Sequence, residues 1–318
     1  MKTKSNTANL KDYLKIARLD HWIKQLFIVP GLFFAIMLGE GITDIRTFLW
    51  KLILGFLSTC FIASANYVIN EWLDAEFDKF HPVKKVRPAV AVGLSGKIIY
   101  IEYAILAVVG LVLGWMCSRH VFLAVLALLI MGVVYNVKPI RSKDIPYVDV
   151  LSESINNAIR LLIGWFIVTD MYLPPITIVI GYWLGGAFLM ATKRYAEYRM
   201  IGDKKAAGLY RKSFRGYSEQ SLLISAFFYA LVSVFACGIF MIKYRIELLI
   251  AVIPMCALFA YYLNVSYKAD SAAQKPEKLF REKGLMVLVL VFIAITVAMM
   301  FIDIPSLNHL LETTLIGA

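Results

Sequence analysis

The chain has 318 residues, of which 60% are hydrophobic and only 17% are charged, and its mean hydropathy is +0.71. Soluble domains are about half apolar and about a quarter charged. This composition therefore argues against a soluble protein, a disordered chain or a disulfide scaffold and favours an integral membrane protein. The net charge of +11 indicates loops held on the cytoplasmic side of a membrane. Because no soluble basic domain is visible, nucleic acid is not expected as a partner.

Nine segments are long and apolar enough for a membrane span, which needs about 20 mostly apolar residues. They predict an all-α, multi-pass membrane helical bundle with about nine transmembrane helices, centred near residues 26–42, 50–69, 98–117, 121–137, 148–168, 173–192, 220–242, 246–265 and 284–302. No segment between them is long enough for another domain, so residues 1–318 are predicted to form one integral membrane domain. Residues 1–24 lack the apolar core and cleavage site of a signal peptide, and we interpret them as a cytoplasmic amphipathic segment.

The distribution of basic residues predicts the orientation of these spans. With the N-terminus inside, 27 of the 33 Lys and Arg residues fall in inner segments and five fall in outer loops. This split follows the positive-inside rule. It predicts a protein of the cell (inner or plasma) membrane with a cytoplasmic N-terminus, cytoplasmic active-site loops and a C-terminus on the outer side.

A first polar cluster follows the second predicted span. Asn70, Asp74 and Asp78 are four residues apart, so on a helix their side chains fan over about 80° of one face. Two carboxylates and an amide at this spacing suit Mg²⁺, which takes oxygen ligands and keeps waters and substrate phosphates. A basic run that suits phosphate oxygens follows directly and contains Lys84, Lys85 and Arg87. Spacing alone leaves open the alternative of a solvated loop of mixed charge.

A second polar cluster follows the sixth predicted span. Lys193 and Glu197 are i,i+4 neighbours where the helix leaves the bilayer, and Arg194 lies beside them. Three further candidates for phosphate binding come next in the chain: Arg211, Lys212 and Tyr217. The alternative is a girdle at the membrane edge, in which Lys and Arg extend to the headgroups and Tyr anchors at the interface.

The fifth predicted span is unusually polar, with Glu153, Asn156, Asn157 and Arg160. Ionisable groups within a span usually face the bundle interior or a wet cavity. Glu153 and Arg160 are two turns apart on one face, so a structural ion pair and a phosphate-binding role for Arg160 both stay open. Two lysines next to spans are further phosphate candidates: Lys24 and Lys143. A lysine in this setting often extends only to the headgroups.

Several familiar sites are not apparent. The four histidines show neither HExxH nor paired spacing, which argues against zinc. The chain also lacks a P-loop, a GxGxxG turn after a strand and a GxSxG elbow.

The spacing NxxxDxxxD at residues 70–78, after the second of nine spans, resembles the first aspartate-rich motif of the UbiA-type membrane prenyltransferases. Span count and order extend the resemblance over nearly the whole chain. The runs HWIK at residues 21–24, HP to RP at residues 81–88 and KRYAE at residues 193–197 resemble the decaprenyl-phosphate phosphoribosyltransferase branch of that superfamily. Such enzymes move 5-phosphoribose from phosphoribosyl diphosphate to a polyprenyl phosphate and release diphosphate. The resemblance implies a transferase that uses Mg²⁺ and these two substrates.

One departure from the wider superfamily is informative. Prenyl-diphosphate users carry a second DxxxD motif, whereas Lys193 and Glu197 stand in that position here. A lysine cannot share a second metal ion, so the resemblance implies one divalent ion, or a changed phosphate geometry, and a phosphate bound directly by lysine. Transfer of a prenyl group from prenyl diphosphate to an aromatic or other acceptor remains the first alternative.

The implied mechanism needs no general base, because the phosphate of the acceptor is already anionic near neutral pH. Asp74 and Asp78, helped by Asn70, are expected to hold Mg²⁺ against the leaving diphosphate. Lys193 and Arg194 are expected to bind another phosphate, and Glu197 to orient Lys193 or to bond a ribose hydroxyl. This mechanism requires the two polar helix ends to meet beneath the cytoplasmic leaflet. A small-anion transporter is the remaining alternative, but transporters tend to place polar sites at the midplane on broken helices.

Overall fold

The computed structural model describes residues 8–39, 41–80, 84–268, 271, 279 and 281–307, with the side chain of Lys84 excluded. The predicted phosphate-binding role of Lys84, the start of the motif at residues 81–88 and the predicted outer C-terminus therefore lie outside the described residues. The chain divides into two compact units. The first comprises Met1–Pro174 and Ile201–Ser218, and the second comprises Pro175–Met200 and Glu219–Ala318.

The described residues form α-helices and short 3₁₀ segments, without a β-strand among them. The α-helices are α1 (Leu10–Ile16), α2 (Val29–Leu38), α3 (Ile45–Asp78), α4 (Pro88–Ala91), α5 (Gly96–Cys117), α6 (Arg119–Asn136), α7 (Val148–Val168), α8 (Ile176–Ile201), α9 (Lys204–Tyr210), α10 (Glu219–Tyr244), α11 (Val252–Ser266) and α12 (Lys283–Phe301). The 3₁₀ segments are Leu19–Ile28, Lys84–Val86, Ser142–Asp144, Lys212–Gly216 and Ile246–Ala251.

Eight helical segments in the described part of the chain are long and apolar enough to cross a membrane. They are Leu10–Leu38, Ile45–Asp78, Gly96–Cys117, Arg119–Asn136, Ile176–Ile201, Glu219–Tyr244, Ile246–Ser266 and Lys283–Phe301. The prediction of an all-α, multi-pass membrane protein is confirmed, but the count of nine spans is not. The ninth segment, α7, is helical where the sequence predicts it and is too polar to meet the same criterion.

Helix α7 lies in the interior of the first unit, where 12 of its 21 residues are buried. It packs against α2, α3 and α6. Its approach to α2 depends on two glycines, because a Cβ on Gly164 would collide with the carbonyl of Ile28 and a Cβ on Gly31 with the carbonyl of Leu161. This reciprocal packing brings the polar face of α7 close to the segment that precedes α2.

The N-terminal segment is bound to the first unit by apolar packing and by an ion pair. Tyr13 and Ile16 of α1 pack with Val68 of α3. Arg18 then turns the chain in the left-handed region (φ 50°), which is unfavourable for a residue with a Cβ. Its guanidinium lies 2.7 Å from a carboxylate oxygen of the buried Glu71. The predicted first span, residues 26–42, therefore corresponds to a broken helical segment that begins earlier, at Leu10.

The second unit contains α8 as far as Met200 and helices α10 to α12. Helices α8 and α10 are joined by a hydrogen bond of 2.8 Å from the Ser233 hydroxyl to the Gly181 carbonyl. Helices α8 and α11 are joined through Phe188 and Phe259, whose ring centroids lie 4.8 Å apart. This packing supports the α8 helix that carries the second polar cluster.

Candidate active site

The acidic motif occupies the last turns of α3, where Asp74 has two basic partners. One oxygen of its carboxylate lies 2.9 Å from Arg141 Nη2 and 2.5 Å from Lys143 Nζ. Both cations come from the polar loop between α6 and α7, and the Lys143 side chain is only 4% exposed. The sequence predicted Lys143 only as a phosphate ligand, and it did not predict the pairing of Lys143 and Arg141 with Asp74.

An amide pair extends this ion-pair cluster. Asn70 Nδ2 donates to Asn136 Oδ1 at 2.6 Å, and Lys143 Nζ donates to the same oxygen at 2.7 Å. Asn136 Nδ2 in turn donates to the Gly132 carbonyl. Burial lowers the pKa of Lys143 to about 8, although the Asp74 carboxylate acts in the opposite direction by favouring the charged form.

Asp78, one turn beyond Asp74, is buried and paired with the basic run that follows α3. Its carboxylate lies 2.6 Å from Arg87 Nη1. Lys85, by contrast, is exposed. The sequence predicted this run as phosphate-binding, and the structure describes Arg87 as the counterion of Asp78.

The segment at residues 211–217 lies against the start of α7. Tyr217 donates its hydroxyl proton to Asp149 at 2.7 Å and accepts from the Tyr147 amide at 2.5 Å. Arg211 Nη1 is 3.6 Å from the Asp149 carboxylate, and Lys212 Nζ is 3.5 Å from that of Asp144. The structure therefore brings these three predicted phosphate ligands to the α6–α7 loop, where Tyr217 braces the start of α7.

A cavity of about 680 Å³ opens beside this loop. Its lining consists of Lys138, Pro139, Ile140, Arg141, Asp144, Ile145 and Lys212. Three cationic side chains against one carboxylate favour an anionic occupant. Because Arg141 also pairs with Asp74, the cavity adjoins the acidic motif.

A second polar region lies along α7 in the direction of its C-terminal end. Tyr135 donates its hydroxyl proton to Glu153 at 2.8 Å. Arg160 donates from Nε to Gln25 Oε1 at 2.7 Å and from Nη1 to the backbone carbonyl of Asn156 at 3.0 Å. Lys24 Nζ lies 3.2 Å from His21 Nδ1. These contacts place Arg160 within a partly buried hydrogen-bonded cluster of the first unit.

In the second unit, the predicted cluster forms the last turns of α8. Arg194 Nη1 lies 3.2 Å from Glu197 Oε2, an i,i+3 ion pair with both side chains almost fully buried. One turn later, Arg199 lies over the rings of Tyr195 and Tyr267. The sequence predicted Lys193 as the partner of Glu197, whereas the described ion pair uses Arg194. The catalytic roles assigned to Lys193 and Glu197 stay predictions.

A sequence profile described as the UbiA prenyltransferase family matches residues 27–284. The chain belongs to the UbiA prenyltransferase family. The matched range contains the acidic motif, the α6–α7 loop and the last turns of α8. The resemblance predicted from the spacing of the acidic motif is therefore confirmed at the level of the family.

Curated relatives within this family include phosphoribosyltransferases. The chain is 27% identical over 210 residues to a decaprenyl-phosphate phosphoribosyltransferase of Mycolicibacterium smegmatis, covering 66% of this chain and 63% of that protein. It is 28% identical over 210 residues to a decaprenyl-phosphate phosphoribosyltransferase of Mycobacterium tuberculosis, covering 66% and 67%. It is also 27% identical over 204 residues to the nodulation protein NoeC of Azorhizobium caulinodans, covering 64% and 62%. The match thus spans slightly less than two thirds of the Mycolicibacterium protein.

Solved structures show the same UbiA fold. A UbiA homolog from Archaeoglobus fulgidus bound to GPP and Mg²⁺ has a TM-score of 0.65 and 21% identity, covering 92% of this chain and all of that one. A digeranylgeranylglyceryl phosphate synthase has a TM-score of 0.60 and 18% identity, covering 92% and 96%. At these identities the likeness establishes the fold.

The acidic motif of this UbiA chain fits Mg²⁺ only with help from the substrate. The residues that the structure describes contain no group of three or more His, Cys, Asp or Glu side chains suited to a metal ion. Asp74 and Asp78, with the amide oxygen of Asn70, provide three oxygen groups one turn apart. Mg²⁺ is commonly held by one or two carboxylates together with phosphate oxygens and waters. This donor set therefore fits the ion when a diphosphate completes its coordination.

Sequence reasoning missed several residues of the two polar regions, including Gln25, Tyr135, Asn136, Arg141 and Asp149. Tyr135 and Asn136 end an otherwise apolar helix, and Asp149 is buried in the first turn of α7. Polar residues at the ends of predicted spans were the available signal. Their partners lie tens of residues away in the chain, so no local pattern joins them.

Proposed function

We propose that this protein is a Mg²⁺-dependent membrane transferase that moves 5-phosphoribose from phosphoribosyl diphosphate to a polyprenyl phosphate and releases diphosphate. The observation that carries the proposal is the Asp74 carboxylate shared by Arg141 and Lys143 beside a cationic cavity. The curated relatives named phosphoribosyltransferases support the choice of substrates. The protein is further proposed to lie in the cell (inner or plasma) membrane with this site on the cytoplasmic side, as the basic loops predict.

The residues of these ion pairs provide both groups that bind a diphosphate: oxygen ligands for Mg²⁺ and basic side chains for the phosphate oxygens. Asp74 and Asp78, with Asn70, would hold Mg²⁺, which when bound would neutralise charge that develops on the leaving diphosphate. Arg141, Lys143 and Arg87 would then turn from the carboxylates to phosphate oxygens, for which arginine provides paired N–H donors. Without substrate, the basic side chains proposed to bind phosphate are thus paired with the carboxylates proposed to bind Mg²⁺.

The reaction step needs few further contributions from the side chains. The acceptor phosphate is an anion near neutral pH and attacks the anomeric carbon of the ribose while the bond to diphosphate breaks. Neutralising the leaving group is therefore the main task of the side chains. Lys193 and Arg194 are proposed to bind another phosphate, and Glu197 to orient Lys193.

The test uses the purified full-length protein in detergent or nanodiscs. It is incubated with labelled phosphoribosyl diphosphate and polyprenyl phosphate, and separately with labelled prenyl diphosphate and an aromatic acid. We expect a labelled lipid product from the first pair only, and none after a chelator removes Mg²⁺. Product from the second pair alone would replace the proposal with prenyl transfer. Absence of both products, with uptake of a small anion into proteoliposomes, would replace it with transport.

A further inference from the structure

Two amide side chains near Arg160 each have a buried atom without a hydrogen-bond partner in the described part of the chain: Gln25 Nε2 and Asn156 Oδ1. Gln25 is fully buried in the Leu19–Ile28 segment. Its Oε1 accepts from Arg160 Nε at 2.7 Å, which fixes the orientation of the amide. The unpartnered atom is therefore an N–H donor.

Asn156 has the opposite polarity. Its Nδ2 donates to the Glu153 carbonyl at 3.2 Å, so the unpartnered Oδ1 is an acceptor. Asn156 and Arg160 are four residues apart on one face of α7. Arg160 bonds both the backbone of Asn156 and the side chain of Gln25. Arg160 thus connects the two residues that carry the unpartnered donor and the unpartnered acceptor.

Leaving such groups unpaired is costly. A buried donor or acceptor without a partner destabilises the folded state, and native structures leave few of them. Three other described amide or carboxylate atoms of this unit are unpartnered; two have local explanations, and the third, Glu102 Oε2, belongs to α5. Asn66 Oδ1 faces the bare Cα of Gly132, and Glu71 Oε1 belongs to a carboxylate already paired with Arg18. Gln25 and Asn156 have no such explanation, so the pair is suited to a bound molecule.

The pair continues the polar face that begins at the acidic motif. Asp74 pairs with Lys143, whose Nζ lies 5.7 Å from the ring centroid of Tyr135. The Tyr135 hydroxyl bonds Glu153, and Asn156 follows about 4.5 Å further along α7. A substrate whose diphosphate lies at Asp74 would extend its next chemical group along this face.

A hydroxyl group matches the pair, because a hydroxyl both accepts and donates a hydrogen bond. We propose that Gln25 and Asn156 bind a ribose hydroxyl of the sugar-diphosphate donor, with Gln25 donating to its oxygen and Asn156 accepting its proton. This inference rests on the proposed function and deepens it. A prenyl chain has no hydroxyl and would leave both amides unpaired, so the pair selects a sugar donor. Sites built to bond a substrate hydroxyl strongly reject analogues that lack it.

The experiment first establishes turnover of phosphoribosyl diphosphate by the wild-type protein, since failure there overturns the proposed function itself. Ribose 5-phosphate and its 2-deoxy and 3-deoxy analogues are then compared as competitive inhibitors. We expect one deoxy analogue to bind about five- to tenfold more weakly, as for the loss of a hydrogen bond of about 1 kcal/mol. In Asn156→Leu, the KM for phosphoribosyl diphosphate should rise about five- to tenfold. The preference for ribose 5-phosphate over the deoxy analogue should vanish.

The matched control is Asn157→Leu, which removes the adjacent amide of α7 and should retain both the KM and the preference. If the pair binds only water, Asn156→Leu will change the unfolding temperature and leave the KM and the preference at their wild-type values. That result overturns the inference while the proposed function stands. If Asn156→Leu does not fold, the comparison of deoxy analogues on the wild-type protein decides alone, and equal inhibition by all three sugars overturns the inference.

Discussion

Replacing Asp74 with asparagine should impair folding as well as turnover. The role in Mg²⁺ binding that the family resemblance implies for Asp74 predicts that its loss abolishes turnover and leaves folding intact. The structure changes that expectation, because Asp74 is the counterion of Arg141 and Lys143, whose side chains are 7% and 4% exposed. Asp74→Asn would leave two buried cations with reduced compensation.

The expected loss of stability depends on the partners that Arg141 and Lys143 keep in Asp74→Asn. Arg141 keeps Asp144 at 3.3 Å, whereas Lys143 keeps only the neutral Asn136 oxygen among its described hydrogen-bond partners. Removing one partner of a buried ion pair costs about 3–5 kcal/mol. With Arg141 partly compensated, we expect about 3 kcal/mol. For a unit of this size, that loss lowers the unfolding temperature by about 6–12 °C.

The assay is thermal unfolding of purified protein in detergent, followed with labelled transfer from phosphoribosyl diphosphate. Adding Lys143→Met removes the uncompensated charge and should restore most of the lost stability without restoring turnover. Glu76→Gln is the control, because Glu76 is an exposed carboxylate of the same helix. It should change the free energy of unfolding by no more than about 0.5 kcal/mol.

Two outcomes would refute this reasoning. An unfolding temperature of Asp74→Asn equal to that of the wild type would show that Asp74 does not stabilise the buried cations. Turnover that returns in the double variant and still depends on Mg²⁺ would remove Asp74 from the metal-binding set.

Three further substitutions test the supports of the site. Glu71→Gln should lower the free energy of unfolding by about 3 kcal/mol, because it breaks a largely buried pair with Arg18; thermal unfolding measures this, and an unchanged midpoint would contradict it. Tyr217→Phe should cost about 1–3 kcal/mol of stability and leave the KM for phosphoribosyl diphosphate unchanged, since its hydroxyl bonds the start of α7; a raised KM would instead favour phosphate binding. Gly164→Ala should lower the unfolding temperature because its Cβ would strike the Ile28 carbonyl; the same scan with Gly238→Ala, where the Cβ meets open space, is the control.

Helix positions followed from the sequence wherever a long apolar run stood between polar ends. Helices α5 and α7 lie within two residues of their predicted ranges. The first span was misplaced at its start because Asp20, His21 and Lys24 interrupt the apolar pattern. From the local sequence alone, these residues mark the start of the span. In the structure, α1 and the following segment pack on α3 and α5 and continue the helical path.

The candidate site was predictable in part. The four-residue spacing placed Asn70, Asp74 and Asp78 on one face, and the basic run that contains Arg87 was recognised next to them as phosphate-binding. Arg141 as a partner of Asp74 was not predictable, because 67 residues separate the two. The segment at residues 211–217 was assigned to the second polar cluster by proximity, yet its tyrosine and cations bond carboxylates at the start of α7. Long-range pairing of this kind depends on tertiary packing that no single pattern records.

The polarity of α7 has a consequence for biogenesis. On the translocon scale, a charged residue near the middle of a helix, such as Arg160, disfavours insertion by about 2.5–3.5 kcal/mol. Its neighbours α2, α3 and α6 all precede it in the chain, so they have left the ribosome when α7 emerges. We expect α7 to enter the bilayer by docking onto these earlier helices. A glycosylation reporter placed after Val168 should register inefficient insertion when α2 is deleted, and unchanged insertion would show that α7 inserts by itself.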